Sequence, residues 1–140
     1  MRQICTSVGL LILRLTFGLS MLLLHGVGKY QRYDALTDNF YDPLGVGVNN
    51  SLNLTIFIEI VFPIFLLIGF ATRLASLQLV FTMLVALLLV HHADTWKESE
   101  RALIYMGAFA TLLFTGPGLF SIDAILRRKF WPTLEERAAA

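Results

Sequence analysis

Four apolar stretches, at about residues 6–25, 53–72, 74–92 and 101–117, organise the chain. Each approaches the roughly 20 apolar residues that an α-helix needs to cross bilayer hydrocarbon. The polar connections between them differ in kind. Residues 26–52 form a long loop rich in Tyr, Asp and Gly, the second and third stretches are joined only by FATRLA around Arg73, and the third and fourth by HADTWKES. The first stretch is not read as a signal peptide, because no small-x-small cleavage site follows and further spans come after it. After Pro117 and Gly118 the chain leaves the bilayer, and Ser121 and Asp123 are placed to cap a short helix ending in Arg127, Arg128 and Lys129. The predicted fold class is all-α: a polytopic membrane protein, a four-transmembrane-helix bundle with a short C-terminal amphipathic helix in the segment 118–140, forming one domain over 1–140.

Composition agrees. The 140 residues are 56% hydrophobic and only 15% charged, with a mean hydropathy of +0.70, whereas a soluble domain carries about a quarter charged residues. A net charge of +1 and the lack of a basic cluster interleaved with aromatics exclude nucleic acid as a partner. The single cysteine, Cys5, rules out an internal disulfide, a CxxC redox pair and c-type haem attachment. Near the span ends, Arg2, Arg73, Arg127, Arg128 and Lys129 fall on one side, and Lys29, Arg32, Lys97 and Arg101 on the other. The small excess on the first side predicts both termini in the cytoplasm. Tyr30, Tyr33, Phe40, Tyr41 and Trp96 then read as outer interfacial anchors, and Phe130 and Trp131 as inner ones.

Two charges interrupt the apolar stretches, Arg14 in the first and Glu59 in the second. A lone charge in hydrocarbon costs several kcal/mol on most scales, so it should face the bundle and find a partner. At about 100° per residue, Ser7, Arg14, Gly18, Met21 and His25 share one stripe, and Gly18 lets a neighbouring helix approach. Counted from the ends of the predicted spans, Arg14 lies about 16 Å and Glu59 about 9 Å below the outer surface. An Arg14–Glu59 pair is therefore expected, direct or through water. Pro63, four residues after Glu59, should bend its helix and free the Glu59 carbonyl. His25, Lys29, His91, Asp94, Arg101 and Tyr105 gather at the outer level of the spans and, with Arg14 and Glu59, form the candidate binding pocket. Gln78, Thr82, Leu89 and His92 share one face of the third span. His91 and His92 are adjacent and point about 100° apart, so no metal site is predicted.

These same residues resemble a known family. LRLTFGLSMLLLHGVGKY is similar to the first-span motif of the DoxX family, an arginine and a glycine followed by H-G-x-x-K. IEIVFPIFLLIGFATRLASL resembles its second motif, and VHHADTW its H-x-x-D-P-F turn with Thr95 in place of proline. GPGLFSIDAIL resembles its closing G-P-G-x-x-S-x-D. The resemblance implies a four-helix bundle in a bacterial cytoplasmic (inner) membrane. It also implies kinship with membrane subunits of a thiosulfate:quinone oxidoreductase and with complexes handling reactive oxygen and sulfur.

Three functions stay open on this reading. In the first, the chain is a subunit of a quinone-linked oxidoreductase system, in which a quinone is the cofactor the resemblance brings in. His25, Glu59, His91, Arg101 and Tyr105 then supply donors and protons, and a redox partner protein supplies electrons. In the second, the chain is a non-enzymatic scaffold or assembly factor whose buried Arg14–Glu59 pair, with Pro63, Gly18 and Arg73, is structural. In the third it binds or transports a small solute. Beyond the lipid bilayer and these partners, Gly18 and the turn at Gly45–Val46–Gly47 suit a homo-oligomer.

Overall fold

The computed structural model describes residues 1–38, 40–43, 45–90 and 96–130. The first helix, α1, runs without interruption over Arg2–Gln31, 30 residues, with a π-wound segment at Met21–Val27. A short helix α2, Tyr33–Leu36, follows. Next come α3, Val48–Ile68, and α4, Thr72–Val85, the latter carried on by a π-wound turn at Ala86–Val90. The fourth long helix is α5, Trp96–Thr115, and the chain is described up to α6, Ile122–Phe130. The described residues contain no strand.

The protein is thus a polytopic helical membrane protein. Three helices, Arg2–Gln31, Val48–Ile68 and Thr72–Leu89, are long and apolar enough to cross a membrane. Helix α5 is not among them, because Lys97, Glu98, Glu100 and Arg101 occupy its first turns and shorten its apolar part. The long helices pack in the cyclic order α1, α3, α4, α5, each against two neighbours. Met21, Leu66, Leu79, Met83, Phe109 and Leu112 meet at the centre, so every long helix contributes to one core. Outward, Ile12, Leu23, Phe57, Leu74, Phe81 and Phe114 are exposed. Such a continuous apolar exterior is costly in water and suits lipid.

The π turn in α1 decides which residues face inward. A π turn sets residue i over i+5. The buried stripe of Ser7, Arg14, Gly18 and Met21 therefore continues to Gly26 in place of His25. The predicted loop 26–52 also begins later than expected, because Gly26, Gly28 and Lys29 look like loop residues but stay helical.

Between α3 and α4 the chain turns at Gly69, whose φ of +70° suits only glycine without strain. Its amide donates to Leu66 and that of Phe70 to Phe65, which closes α3 in a Schellman turn. As expected, Ser121 caps α6, its Oγ accepting the amide of Ala124. Asp123 does something else. Its two carboxylate oxygens accept the amides of Ala71 and Thr72, each at 2.8 Å, and so cap α4 from another helix. At the opposite end, Asp42 accepts from Ser51 Oγ and from the amides of Gly47 and Val46, at the start of α3. These bonds, the Ser51 hydroxyl's foremost, hold the Asp42 carboxyl below the ordinary carboxylate value.

Candidate functional site

Helices α1 and α3 run antiparallel, and three close approaches fix their register. A Cβ built on Gly26 would lie 2.5 Å from the Glu59 carbonyl oxygen, one on Gly18 would lie 3.0 Å from Leu67 Cδ2, and one on Gly69 would lie 2.7 Å from Arg14 Nη1. Gly26 is thus level with Glu59, and Arg14 is level with the foot of α3. Twelve residues of α1 separate these levels, about 18 Å. The expected Arg14–Glu59 pair does not form, because that distance exceeds the reach of one side chain. Depths counted from span ends assume that the outer ends of the two helices are level, whereas Gly26, just past the predicted end of the first span, stands against Glu59, six residues inside the second.

Each charge has another partner. Lys29 Nζ donates to both oxygens of Glu59, at 2.6 and 2.5 Å. Glu59 is 2% exposed, while the ammonium keeps contact with the exterior at the head of the bundle. The signal for this pair was already present in H-G-x-x-K. Three residues apart on a helix, Gly26 and Lys29 face the same way, so the glycine that admits α3 also aims the lysine at its carboxylate. Pro63 contributes as expected to the extent that it cannot donate to the Glu59 carbonyl, and that carbonyl faces Gly26.

Arg14 is 1% exposed and points away from Glu59, into the turn that follows α5. Its Nη1 donates to the Pro117 carbonyl at 2.7 Å and its Nη2 to that of Phe120 at 2.6 Å. Ser7 Oγ accepts the amide of Leu119 one level below. Arg73 stands beside the same turn, its Nε 3.7 Å from where a Cβ on Gly116 would sit.

His25 is half-buried and meets Tyr105 edge-on, ring centroids 5.2 Å apart, in an aromatic cluster that takes in Phe17 and Phe109. Arg101 is exposed and lies one turn before Tyr105 in α5. His91, His92 and Asp94 lie outside the described residues. No group of three or more His, Cys, Asp and Glu side chains that could hold a metal comes together among the described residues.

Two cavities open elsewhere, and neither is lined by Arg14, His25, Lys29, Glu59, Arg101 or Tyr105. One, about 340 Å³, is a slot between α3 and α4, walled by Leu54, Phe57, Ile58, Phe62, Phe81 and Val85, with Ser51, Thr55, Gln78 and Thr82 as its polar groups within the helices. Both threonine hydroxyls are tied to carbonyls one turn back. The Gln78 amide has no hydrogen-bond partner among the described residues. Gln78 and Thr82 were visible as one face of the third span. That this face opens on a slot was not, because α3 supplies the opposite wall. The second cavity, about 770 Å³, lies at the other end, under the turn that Arg14 holds.

Gly26 offers a direct check of the register. A methyl group there meets Glu59 backbone and Ile60 Cγ1 at 2.5–2.9 Å, so α1 and α3 must part. Gly26→Ala is expected to cost about 1–3 kcal/mol, read as a lower melting temperature in detergent. An unchanged melting temperature counts against the register.

The model of the DoxX family matches residues 9–92. Over 131 residues, 89% of this chain and 96% of the relative, the chain is 33% identical to the inner membrane protein YqjF of Escherichia coli (strain K12). No solved structure matches it. The matched span takes in Arg14, the Lys29–Glu59 pair and the α3–α4 slot, and on both comparisons the chain belongs to the DoxX family.

Proposed function

We propose that the protein is an integral inner-membrane subunit that binds a membrane quinone in the α3–α4 slot on behalf of a redox partner. The Escherichia coli relative, an inner membrane protein, and the three apolar helices support the location. Arg2, Arg73 and Arg127 line one cavity at one end of the bundle, which supports cytoplasmic termini.

The observation that carries the binding role is the unpartnered Gln78 amide on an apolar wall inside a membrane-crossing helix. Ligand sites are mostly apolar with a few placed polar groups, and an amide in hydrocarbon gains most from a ligand that completes its bonding. A quinone ring fits this donor set: Phe62 and Phe81 offer apolar faces, and Gln78 offers a donor for a ring carbonyl. A bound quinone would supply two-electron redox chemistry. The chain's own part is to admit the ring from lipid, orient it at Gln78 and keep bulk water away. This moves the site from the group expected around His25 and Glu59, since both Glu59 oxygens are already taken by Lys29.

The test is titration of the purified protein with a short-chain ubiquinone analogue. Saturable binding is expected, with Gln78→Leu weakening it about five- to tenfold, the worth of one hydrogen bond. Absence of binding, or a Gln78→Leu protein that binds as well as the parent, overturns the proposal. The scaffold reading has one observation in its favour. Arg14, Lys29 and Glu59 are all engaged in bonds between segments of the fold, which is the use a purely structural subunit would make of them.

A further inference from the structure

The second cavity is walled by the feet of α1 and α4, the turn after α5, and α6. Three guanidinium groups, those of Arg2, Arg73 and Arg127, stand on its wall. None has a hydrogen-bond or ion-pair partner among the described residues. The one carboxylate on the wall, Asp123, has both oxygens occupied by the amides of Ala71 and Thr72. A further group on the same wall is unsatisfied. Thr72 is 0% exposed and its Oγ1 has no partner among the described residues. A buried hydroxyl without a partner is rare in a folded protein and calls for a reason. Three unanswered cations and an unanswered hydroxyl around one cavity select a phosphate-type anion.

The surroundings select its source. Leu10, Leu74 and Leu119 share the wall with the arginines, so the cavity is amphiphilic. Beside it, α6 exposes Ile122, Ile125 and Phe130 as well as Arg127, Arg128 and Lys129. A short helix with apolar and basic residues together suits the plane of the lipid headgroups. Basic pockets between membrane helices are where anionic headgroups lodge. We infer that this cavity binds the headgroup phosphate of an anionic phospholipid, between Arg2, Arg73 and Arg127, with Thr72 as an additional donor. The site is distinct from the slot and does not depend on quinone binding.

Native mass spectrometry of the full chain, from micelles holding equal phosphatidylglycerol and phosphatidylcholine, tests this. Retained phosphatidylglycerol is expected to exceed phosphatidylcholine by about tenfold or more. The preference should fall close to unity in Arg2→Gln/Arg73→Gln/Arg127→Gln, and severalfold in Thr72→Val, which keeps the side-chain shape. Arg128→Gln/Lys129→Gln, which removes nearby charge from outside the cavity wall, should keep most of it. All three arginines are exposed, so the triple variant is expected to melt close to the parent, and that measurement accompanies the comparison. No preference in the parent, or the same preference in the triple variant, overturns the inference. So does full displacement of the lipid by millimolar inorganic phosphate, which would make this a site for the free ion.

Discussion

Lys29→Met is expected to destabilise the protein by about 3–5 kcal/mol, the usual consequence of removing one partner from a buried ion pair. Lys29 is the hydrogen-bond partner that the structure gives the Glu59 carboxylate, which is 2% exposed. Removing the ammonium leaves a charge between α1 and α3 with nothing to answer it, and lipid hydrocarbon cannot solvate it as water would. The paired variant Lys29→Met/Glu59→Leu should behave differently. It removes both charges together and fills the space with side chains of similar bulk, a change that is often neutral or stabilising. Its melting temperature in detergent should return close to that of the parent. Lys29→Met/Glu59→Gln should recover part of the loss, since an amide carries no charge to strand. Lys29→Met melting like the parent, or the double variant melting as low as the single one, would show that the pair does not form as drawn. The double variant also tells a structural pin from the direct part in function that the sequence led one to expect of Glu59. A scaffold that uses the pair as a pin keeps its function once both charges are gone and the fold is intact, whereas a direct role in proton handling does not survive.

Faces were legible in the sequence, but heights were not. The stripe Ser7, Arg14, Gly18 and Met21 follows from helical periodicity, and all four are buried. The hairpin around Arg73 and the amphipathic helix ending in Lys129 follow from local chemistry in the same way. Periodicity says which way a residue points around its axis. It says nothing about the level a residue reaches against the next helix, because that depends on where both helices end and on how closely they approach. Arg14 and Glu59 were therefore placed on the correct inward faces and assigned the wrong partners. Gly26 sets the level, and its role depends on a π turn that no simple 100° count includes. Asp123 departs from its expected role for a related reason. An acid in the first turn of a helix reads as its own cap, and only the tertiary fold brings the amides of Ala71 and Thr72 to it. The fourth stretch is apolar over residues 101–117, whereas the helix starts at Trp96 and takes in the charges before them.

Arg14→Met is expected to be as damaging as Lys29→Met, about 3–5 kcal/mol, by a different route. The two guanidinium N–H bonds to the Pro117 and Phe120 carbonyls are charge-assisted, each worth about 1.5–3 kcal/mol. Without them the turn between α5 and α6 loses two donors reaching it from α1, and a thioether offers the carbonyls nothing in return. Arg14→Lys keeps the charge but lacks the planar fork that serves two carbonyls at once, so it should recover about half of the loss. Coupling between sites tells this role apart from a general loss of packing. Asp123 fastens the same segment to the α3–α4 hairpin. Once either anchor has let the segment go, losing the other should cost little, so Arg14→Met and Asp123→Asn should combine to less than their sum. Arg14→Met and Lys29→Met act on levels about 18 Å apart along α1, and should add within about 0.5 kcal/mol. Likewise Glu59→Gln should do nothing for Arg14→Met. Rescue of Arg14→Met by Glu59→Gln would return the arginine to the glutamate and remove the support for the register on which both charge assignments stand.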